Sequence, residues 1–448
     1  MQENTFLKGK ILPPLIKFAL PLMLSQLLQA LYGAVDLIVV GHYGTTADFS
    51  AVSTGSQLMQ GVTGIIIGLT TGVTVLIGQA IGADDKKRAG ATCAGMIKLL
   101  AVLSVILSVL LIAAAQGALK IMQIPLEAEN AGIQYIRICG AGTIFISAYN
   151  AVSGLFRGVG NSKMPLIFIL IACIVNIIGD LLLVGGFNMG AAGAAYATVA
   201  AQAVSVIFSA VYIVKGGLPF RITKESFKAK NTVGTILKIG TPIALQDFLT
   251  RVSFLILTSI LNSLGLVASA SIGISEKLFV FLSIVPFSFM SALSAFVAQN
   301  MGAGQPKRAY SALKISIVIS FAFGILVFCA TMFFPEMLAS VFEKNPEVIA
   351  AAARYQRGCA AEHLLISIYF CQLGFFNGMG KTGFVMAEGI ITAFAVRIPL
   401  SYLFSRGASP DLMKIGFAVP ISAAFCLIMC CAYMIYLKRI TAISKFKT

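Results

Sequence analysis

Two aspartates stand where a long apolar run has little reason to keep a charge. Asp36 lies in Tyr32-Gly-Ala-Val-Asp36-Leu-Ile-Val-Val-Gly41, and Asp180 closes Asn176-Ile-Ile-Gly-Asp180. A charged side chain at the centre of a membrane-spanning helix costs about 2.5–3.5 kcal/mol on insertion scales, so each is a functional candidate by default. Asn176 and Asp180 are four residues apart and project from one face of a helix. An unpaired carboxylate held away from water is penalised, and a second one nearby adds repulsion, so such a pair is suited to load a proton. With carboxamide and hydroxyl oxygens beside it, the same cluster could hold Na⁺ instead, because hard cations take oxygen ligands. The structural alternative is that each aspartate hydrogen-bonds or caps a neighbouring helix.

The second half carries its charges differently. Asp247 and Arg251 are spaced i,i+4, Glu276 precedes Lys277, Glu362 precedes His363, and Glu388 and Arg397 share one run. Both signs are present, so mutual neutralisation competes with function for Asp247–Arg251 and for Arg397. Glu276, Glu362 and Glu388, with Asp247 and the adjacent Gln246, are the candidates to line a cleft and attract a cationic substrate. His363 reads as a polar helix contact and His42 as an interfacial residue at the end of its run.

Long apolar helices must position these groups. The chain of 448 residues is 58% hydrophobic and 11% charged, against about 25% charged in ordinary soluble domains. Twelve apolar runs are predicted as spans: 12–40, 48–80, 88–114, 130–155, 163–185, 191–214, 234–263, 266–301, 308–334, 348–377, 383–404 and 413–437. Each can cross a hydrocarbon core of about 30 Å. Backbone groups in lipid must bond internally, which makes the spans α-helical, and the runs lack the apolar–polar alternation of a transmembrane barrel.

The net charge of +16 invites a nucleic-acid reading, which its distribution excludes. The basic residues sit in alternate loops: Lys8 and Lys10, Lys86-Lys87-Arg88, Arg157, Lys163, the connection from Lys215 to Lys230, Lys307-Arg308, Lys381, Lys438-Arg439, Lys445 and Lys447. The opposite loops hold Lys120, Lys344, Arg406 and Lys414 among most of the loop acids, Glu127, Glu129, Glu336, Glu343 and Glu347. The positive-inside rule then puts both termini in the cytoplasm, which requires an even number of spans. Residues 1–10 are polar and basic and the run that follows outlasts a signal core, so no cleavable signal peptide is expected. The nine cysteines form no CxxC pair and read as packing residues of a reduced compartment.

The chain also repeats itself. Gly78-Gln79-Ala80-Ile81-Gly82-Ala83 returns as Ala298-Gln299-Asn300-Met301-Gly302-Ala303, an offset of 299 − 79 = 220, and both copies run on into Lys-Arg-Ala. The same offset carries Tyr149 onto Tyr369 and Gly158-x-Gly160 onto Gly378-x-Gly380; with one more residue, Pro21 maps onto Pro242. The expected architecture is an all-α integral membrane protein of two pseudo-symmetric six-helix lobes related as parallel repeats, residues 1–218 and 233–448, joined by a cytoplasmic linker at 219–232. The repeated glycines read as hinge and packing elements at helix ends; no strand precedes them and no Walker lysine follows, which argues against an ATP-driven pump.

Pro21, Val35-Asp36…Gly41, Gly78-Gln79…Gly82-Ala83, Phe156-Arg157-Gly158-x-Gly160, Asn176…Asp180 and Gly193-Ala194-Ala195-Tyr196-Ala197-Thr198 together resemble the multidrug and toxic compound extrusion (MATE) family over nearly the full length. The resemblance implies a cation-coupled antiporter that exports amphiphilic, often cationic compounds. It implies that Asp36, Asn150, Asn176, Asp180 and Thr198, accompanied by Tyr32, form the first-lobe cation cluster, with Asp36, Asn176, Asp180 and Thr198 as Na⁺ ligands if sodium is the coupling ion. It also implies that Pro21 is a hinge of the first span. Another branch of the family uses a Glu in span 7 and an Asp in span 10; this chain has Asp247 beside Arg251 and Tyr369-Phe370-Cys371-Gln372 there, which directs coupling to the first lobe.

The expected function is therefore secondary antiport of small molecules against H⁺ or Na⁺ by a monomer in the cell membrane, with no cofactor beyond the coupling ion and no nucleic acid. The alternative is a flippase for lipid-linked saccharides, which would want a basic cleft, whereas embedded acids outnumber embedded bases here. An intramembrane aspartyl protease built on Asp36 and Asp180 gives the duplicated lobes no role, so no enzymatic activity is expected.

Overall fold

In a computed structural model, residues 6–406 and 411–445 are described, with side chains to residue 439; Lys447 and the side chain of Lys445 lie outside them. Every described element is helical. In chain order they are α1 (Leu12–Tyr43), α2 (Thr46–Gly82), α3 (Lys86–Ile121), α4 (Leu126–Ala141), α5 (Thr143–Val159), α6 (Lys163–Asp180), α7 (Gly190–Tyr212), α8 (Lys224–Lys228), α9 (Thr232–Asn262), α10 (Leu266–Leu282), α11 (Ile284–Gly302), α12 (Pro306–Phe333), α13 (Pro335–Ser340), α14 (Pro346–Cys359), α15 (Glu362–Gly378), α16 (Thr382–Ile391), α17 (Ile398–Ser405), α18 (Leu412–Gly416) and α19 (Ala418–Lys445).

Ten helices among the described residues are long and apolar enough to cross a membrane, and two bent pairs, α4–α5 and α14–α15, bring the number to twelve. The bends are where the sequence reads one straight span each, at 130–155 and 348–377. Each pair turns by 51°, and the breaks at Gly142 and at residues 360–361 fall almost one repeat offset apart. Large apolar side chains such as Ile38, Val102, Val214, Leu255 and Ile428 are exposed, as a lipid-facing surface requires.

Helix ends follow from local chemistry. Thr45 and Asp48 form a reciprocal capping box at the start of α2: the Asp48 backbone N–H donates to Thr45 Oγ1 at 3.1 Å, and the Thr45 N–H donates to Asp48 Oδ2 at 3.0 Å. The second Asp48 oxygen accepts the Ala191 N–H at 2.9 Å, so one carboxylate joins the N-termini of α2 and α7. Pro21 lies inside α1, which continues through it, and Ser25 Oγ donates back to the Pro21 carbonyl at 2.8 Å. Immediately after Asp180, α6 widens into a π-helical stretch, Leu181–Gly186; two others, Ile213–Gly217 and Thr392–Arg397, follow α7 and link α16 to α17. Such widenings are frequent at functional sites.

The chain forms two compact units whose boundaries differ from those of the repeat. The first comprises Met1–Ala244 with Ala295–Arg308 and Gly378–Gly380; the second holds Leu245–Ser294, Ala309–Asn377 and Lys381–Thr448. In the first unit, α2 packs against α4 and α5, and α6 against α1 and α7. Its cores gather Val40, Val52, Ile66 and Ile136 in one place and Ile77, Cys93, Leu155 and Ile236 in another. The second unit is built around Leu257, Leu261, Ile272 and Ile415, and around Ile274, Leu278 and Ala352. All nine cysteines are free.

Candidate cation site in the first unit

Asp36 sits two turns before the C-terminal end of α1, and Tyr32 lies one turn earlier on the same face. Asp180 is the last α-helical residue of α6, with Asn176 one turn before it. The packing of α1 on α6 and of α6 on α7 brings Asp36 beside Asp180 and Asn176, with Thr198 of α7 completing the group. Asp36 is 6% exposed, and Asn176 and Asp180 are 0% exposed. Burial this complete means that every charge here must be balanced from within the protein or by a bound ion.

Thr198 Oγ1 donates to Asp36 Oδ2 at 3.4 Å. Among the described residues, the other Asp36 oxygen, both oxygens of Asp180, both amide atoms of Asn176 and the Tyr32 hydroxyl have no hydrogen-bond partner. Salt bridges among the described residues join Arg251 to Asp247 and Arg357 to Glu336, and neither reaches this cluster. Two carboxyl groups without a countercharge in a dry interior need a proton or a cation. The donor set, carboxylate, carboxamide and hydroxyl oxygen, suits a hard monovalent cation as well as H⁺.

Of the expected cluster, the fold gathers Tyr32, Asp36, Asn176, Asp180 and Thr198. Asn150 is buried on α5, where its amide nitrogen donates to the Ile146 carbonyl of its own helix at 2.8 Å, a bond that occupies the nitrogen and not the oxygen. The sequence reading missed Gln202, one turn beyond Thr198 on α7, whose buried Oε1 also lacks a partner. It missed Tyr135 and Cys139 of α4, which come within electrostatic range of Asp36. The i,i+4 spacing of Thr198 and Gln202 was a signal for the first; Tyr135 and Cys139 reach the site by helix packing alone.

The second-half candidates separate into distinct environments. Asp247 and Arg251 form an exposed i,i+4 pair at 2.9 Å. Glu276 is also exposed and accepts from Thr258 Oγ1 at 2.8 Å. Glu388 is fully buried; one oxygen accepts from the Tyr369 hydroxyl at 2.6 Å and the other has no partner. Gln246 lies against Gly389, beside Glu388. Glu362 and His363 are buried, and His363 stands 6.4 Å from the Phe279 ring, centroid to centroid. Arg397 stacks over Phe254 at 4.4 Å and donates to Ser253 Oγ at 3.2 Å.

An all-helical chain of twelve apolar spans, duplicated in sequence and holding an unbalanced acid cluster in its first half, has the organisation of a secondary membrane transporter. Comparison with known proteins agrees. The MatE family model matches twice, at residues 21–182 and 242–403, and the chain belongs to that family. It is 25% identical over 437 residues to "Probable multidrug resistance protein YpnP" of Bacillus subtilis, covering 97% of each chain. It is 26% identical over 400 residues to "Probable multidrug resistance protein NorM" of Thermotoga maritima, covering 88% of this chain and 85% of that one. A crystal structure of a MATE in the bent conformation superposes with a TM-score of 0.92 at 21% identity, covering 100% of this chain and 99% of that one. The two family matches start 221 residues apart, the offset that carries Pro21 onto Pro242.

Proposed function

We propose that this chain is a secondary antiporter that exports amphiphilic, often cationic small molecules in exchange for H⁺ or Na⁺ by alternating access. The observation that carries the proposal is the Asp36–Asp180 pair: two carboxyl groups, buried, adjacent, and without a basic partner. A cation entering from outside neutralises the pair and stabilises one arrangement of α1, α6 and α7, while cargo stabilises another. Coupling needs only that the two ligands favour different states. An inside-negative potential aids inward cation movement by about 2.3 kcal/mol per charge per 100 mV. The relatives described as multidrug resistance proteins support this class of cargo. The protein acts as a monomer in the cell membrane with both termini cytoplasmic, as the loop charges direct, and carries out no covalent chemistry.

The test is ethidium or fluoroquinolone efflux from proteoliposomes under separate pH and Na⁺ gradients. Whichever gradient drives the wild type, Asp36→Asn and Asp180→Asn abolish uphill efflux. Retention of wild-type gradient-driven export by the doubly neutralised protein would refute the mechanism.

A further inference from the structure

The duplicated glycine–glutamine motif is more than two independent helix ends. Its two copies are built into each other, and every residue of the contact belongs to the first compact unit. Gln299 Nε2 donates to the Gly158 carbonyl at 2.9 Å, and Gln79 Nε2 reaches the Gly378 carbonyl at 3.5 Å. Donor and acceptor are each displaced by the 220-residue offset, so one interaction is the pseudo-symmetric image of the other. The backbones interlock in the same reciprocal way. A Cβ on Gly82 would lie 1.9 Å from the Gln299 carbonyl oxygen, and one on Gly302 would lie 2.1 Å from that of Gln79. Any side chain at either position forces the two helix ends apart.

The glutamine amides are also received reciprocally. Gly160 (φ +89°) lies against Gln299 Nε2 and Gly380 (φ +74°) against Gln79 Nε2. The two halves are unequal in strength. Gln299 is fully buried with its Oε1 unpartnered, while Gln79 makes the longer bond and is half-buried. The hydrogen bonds are neutral and few, which makes the contact specific but readily reversible.

We propose that Gln79 and Gln299 form a two-part latch that holds the C-terminal ends of α2 and α11 together and must release whenever that end of the transporter opens. The inference rests on the alternating-access reading above, but its test does not depend on transport. Gln299 is the stronger half, since its bond is shorter and fully enclosed. The glycines opposite are the shape-determining half, since they set how closely the two backbones approach.

Spin labels on cysteines replacing Lys86 and Gln305, both next to the interlocked ends, report their separation in the full-length protein in lipid nanodiscs, with Cys431 and Cys329 changed to serine. Gln299→Ala raises the ratio of long- to short-distance populations by about tenfold, the equivalent of one lost hydrogen bond. Gln79→Ala raises it less, and the double variant more than either. Gly82→Ala and Gly302→Ala shift it at least as far as Gln299→Ala. Should either glycine variant fail to fold, the glutamine variants carry the test unaided. Wild-type distance distributions in Gln79→Ala, Gln299→Ala and the double variant would overturn the latch and leave the antiport reading intact. Loss of that reading would show instead in the efflux assay, with the distance shifts of the variants still present.

Discussion

The Thr198 hydroxyl on α7 donates to Asp36 Oδ2 on α1 across 3.4 Å, while Asp180 beside them has neither oxygen bonded. One carboxyl is thus tethered and the other is open, within a single buried group. The tether ties α7 to the first span through one acid of the proposed cation site.

Thr198→Ala removes the tether without removing either acid. Losing one hydrogen bond to a charged or charge-sharing group costs about 1.5–3 kcal/mol, equivalent to about a 10- to 150-fold change in apparent affinity for the coupling ion: weaker if Na⁺ takes the hydroxyl oxygen as a ligand, tighter if H⁺ binds the carboxylate that the hydroxyl stabilises. Thr198→Ser keeps the hydroxyl and restores most of it. The measurement is the dependence of efflux rate on driving-ion concentration in proteoliposomes. Equal half-saturation in wild type and Thr198→Ala would remove Thr198 from the site.

Asp48→Ala removes one carboxylate from two helix N-termini, because Asp48 accepts from both the Thr45 and the Ala191 backbone N–H. Loss of an N-cap acceptor costs about 1 kcal/mol, and here two ends are affected. The expected result is a fall in thermal unfolding midpoint in detergent, with Asp48→Asn intermediate and the ion specificity of transport unchanged.

Tyr369→Phe leaves the buried Glu388 without its hydroxyl donor, and an unsatisfied buried acceptor costs about 1–3 kcal/mol. Glu388→Gln keeps an acceptor for that hydroxyl, so it destabilises less than Tyr369→Phe. Thermal unfolding of the two variants side by side gives the order. The reverse order would mean that Glu388 bears its charge against a partner other than Tyr369.

Arg308 clamps the start of the chain: its guanidinium donates to the carbonyls of Phe6, Lys8 and Gly9 at 2.8, 3.0 and 2.6 Å. Phe6 in turn packs on Phe18 and Phe296 with ring centroids 5.1 and 5.0 Å away. Arg308→Ala releases three carbonyls at once, and protease cleavage near residues 6–10 rises several-fold at unchanged overall fold. Arg308→Lys, a single point charge, restores only part of the protection.

The acid cluster was legible in the sequence because an isolated aspartate in a hydrophobic run is chemically conspicuous, and because Asn176 and Asp180 share a helix face at any tertiary arrangement. The place of Asn150 on a span was equally readable, but the bond of its amide nitrogen to the Ile146 carbonyl one turn back was not. Glu388 shows the opposite case. Among several embedded acids nothing in its spacing singled it out, yet it is fully buried on Tyr369, whereas Glu276 is exposed and Asp247 half-buried. In a bilayer the lipid-facing and protein-facing sides of a helix are both apolar, so hydrophobic periodicity says little about which neighbour a given face meets.

Taken alone, the sequence determined the number and α-helical nature of the spans, their duplication, and the two aspartates that stand alone in apolar runs. These follow from composition, from the bilayer's demand for internal backbone bonding, and from local spacing. Tertiary structure alone decided that Asp36 and Asp180 meet beside Thr198, and that Gln79 and Gln299 lock through glycines of the other repeat. Those contacts depend on how closely helices approach sideways, which small residues permit and no spacing along a single helix records.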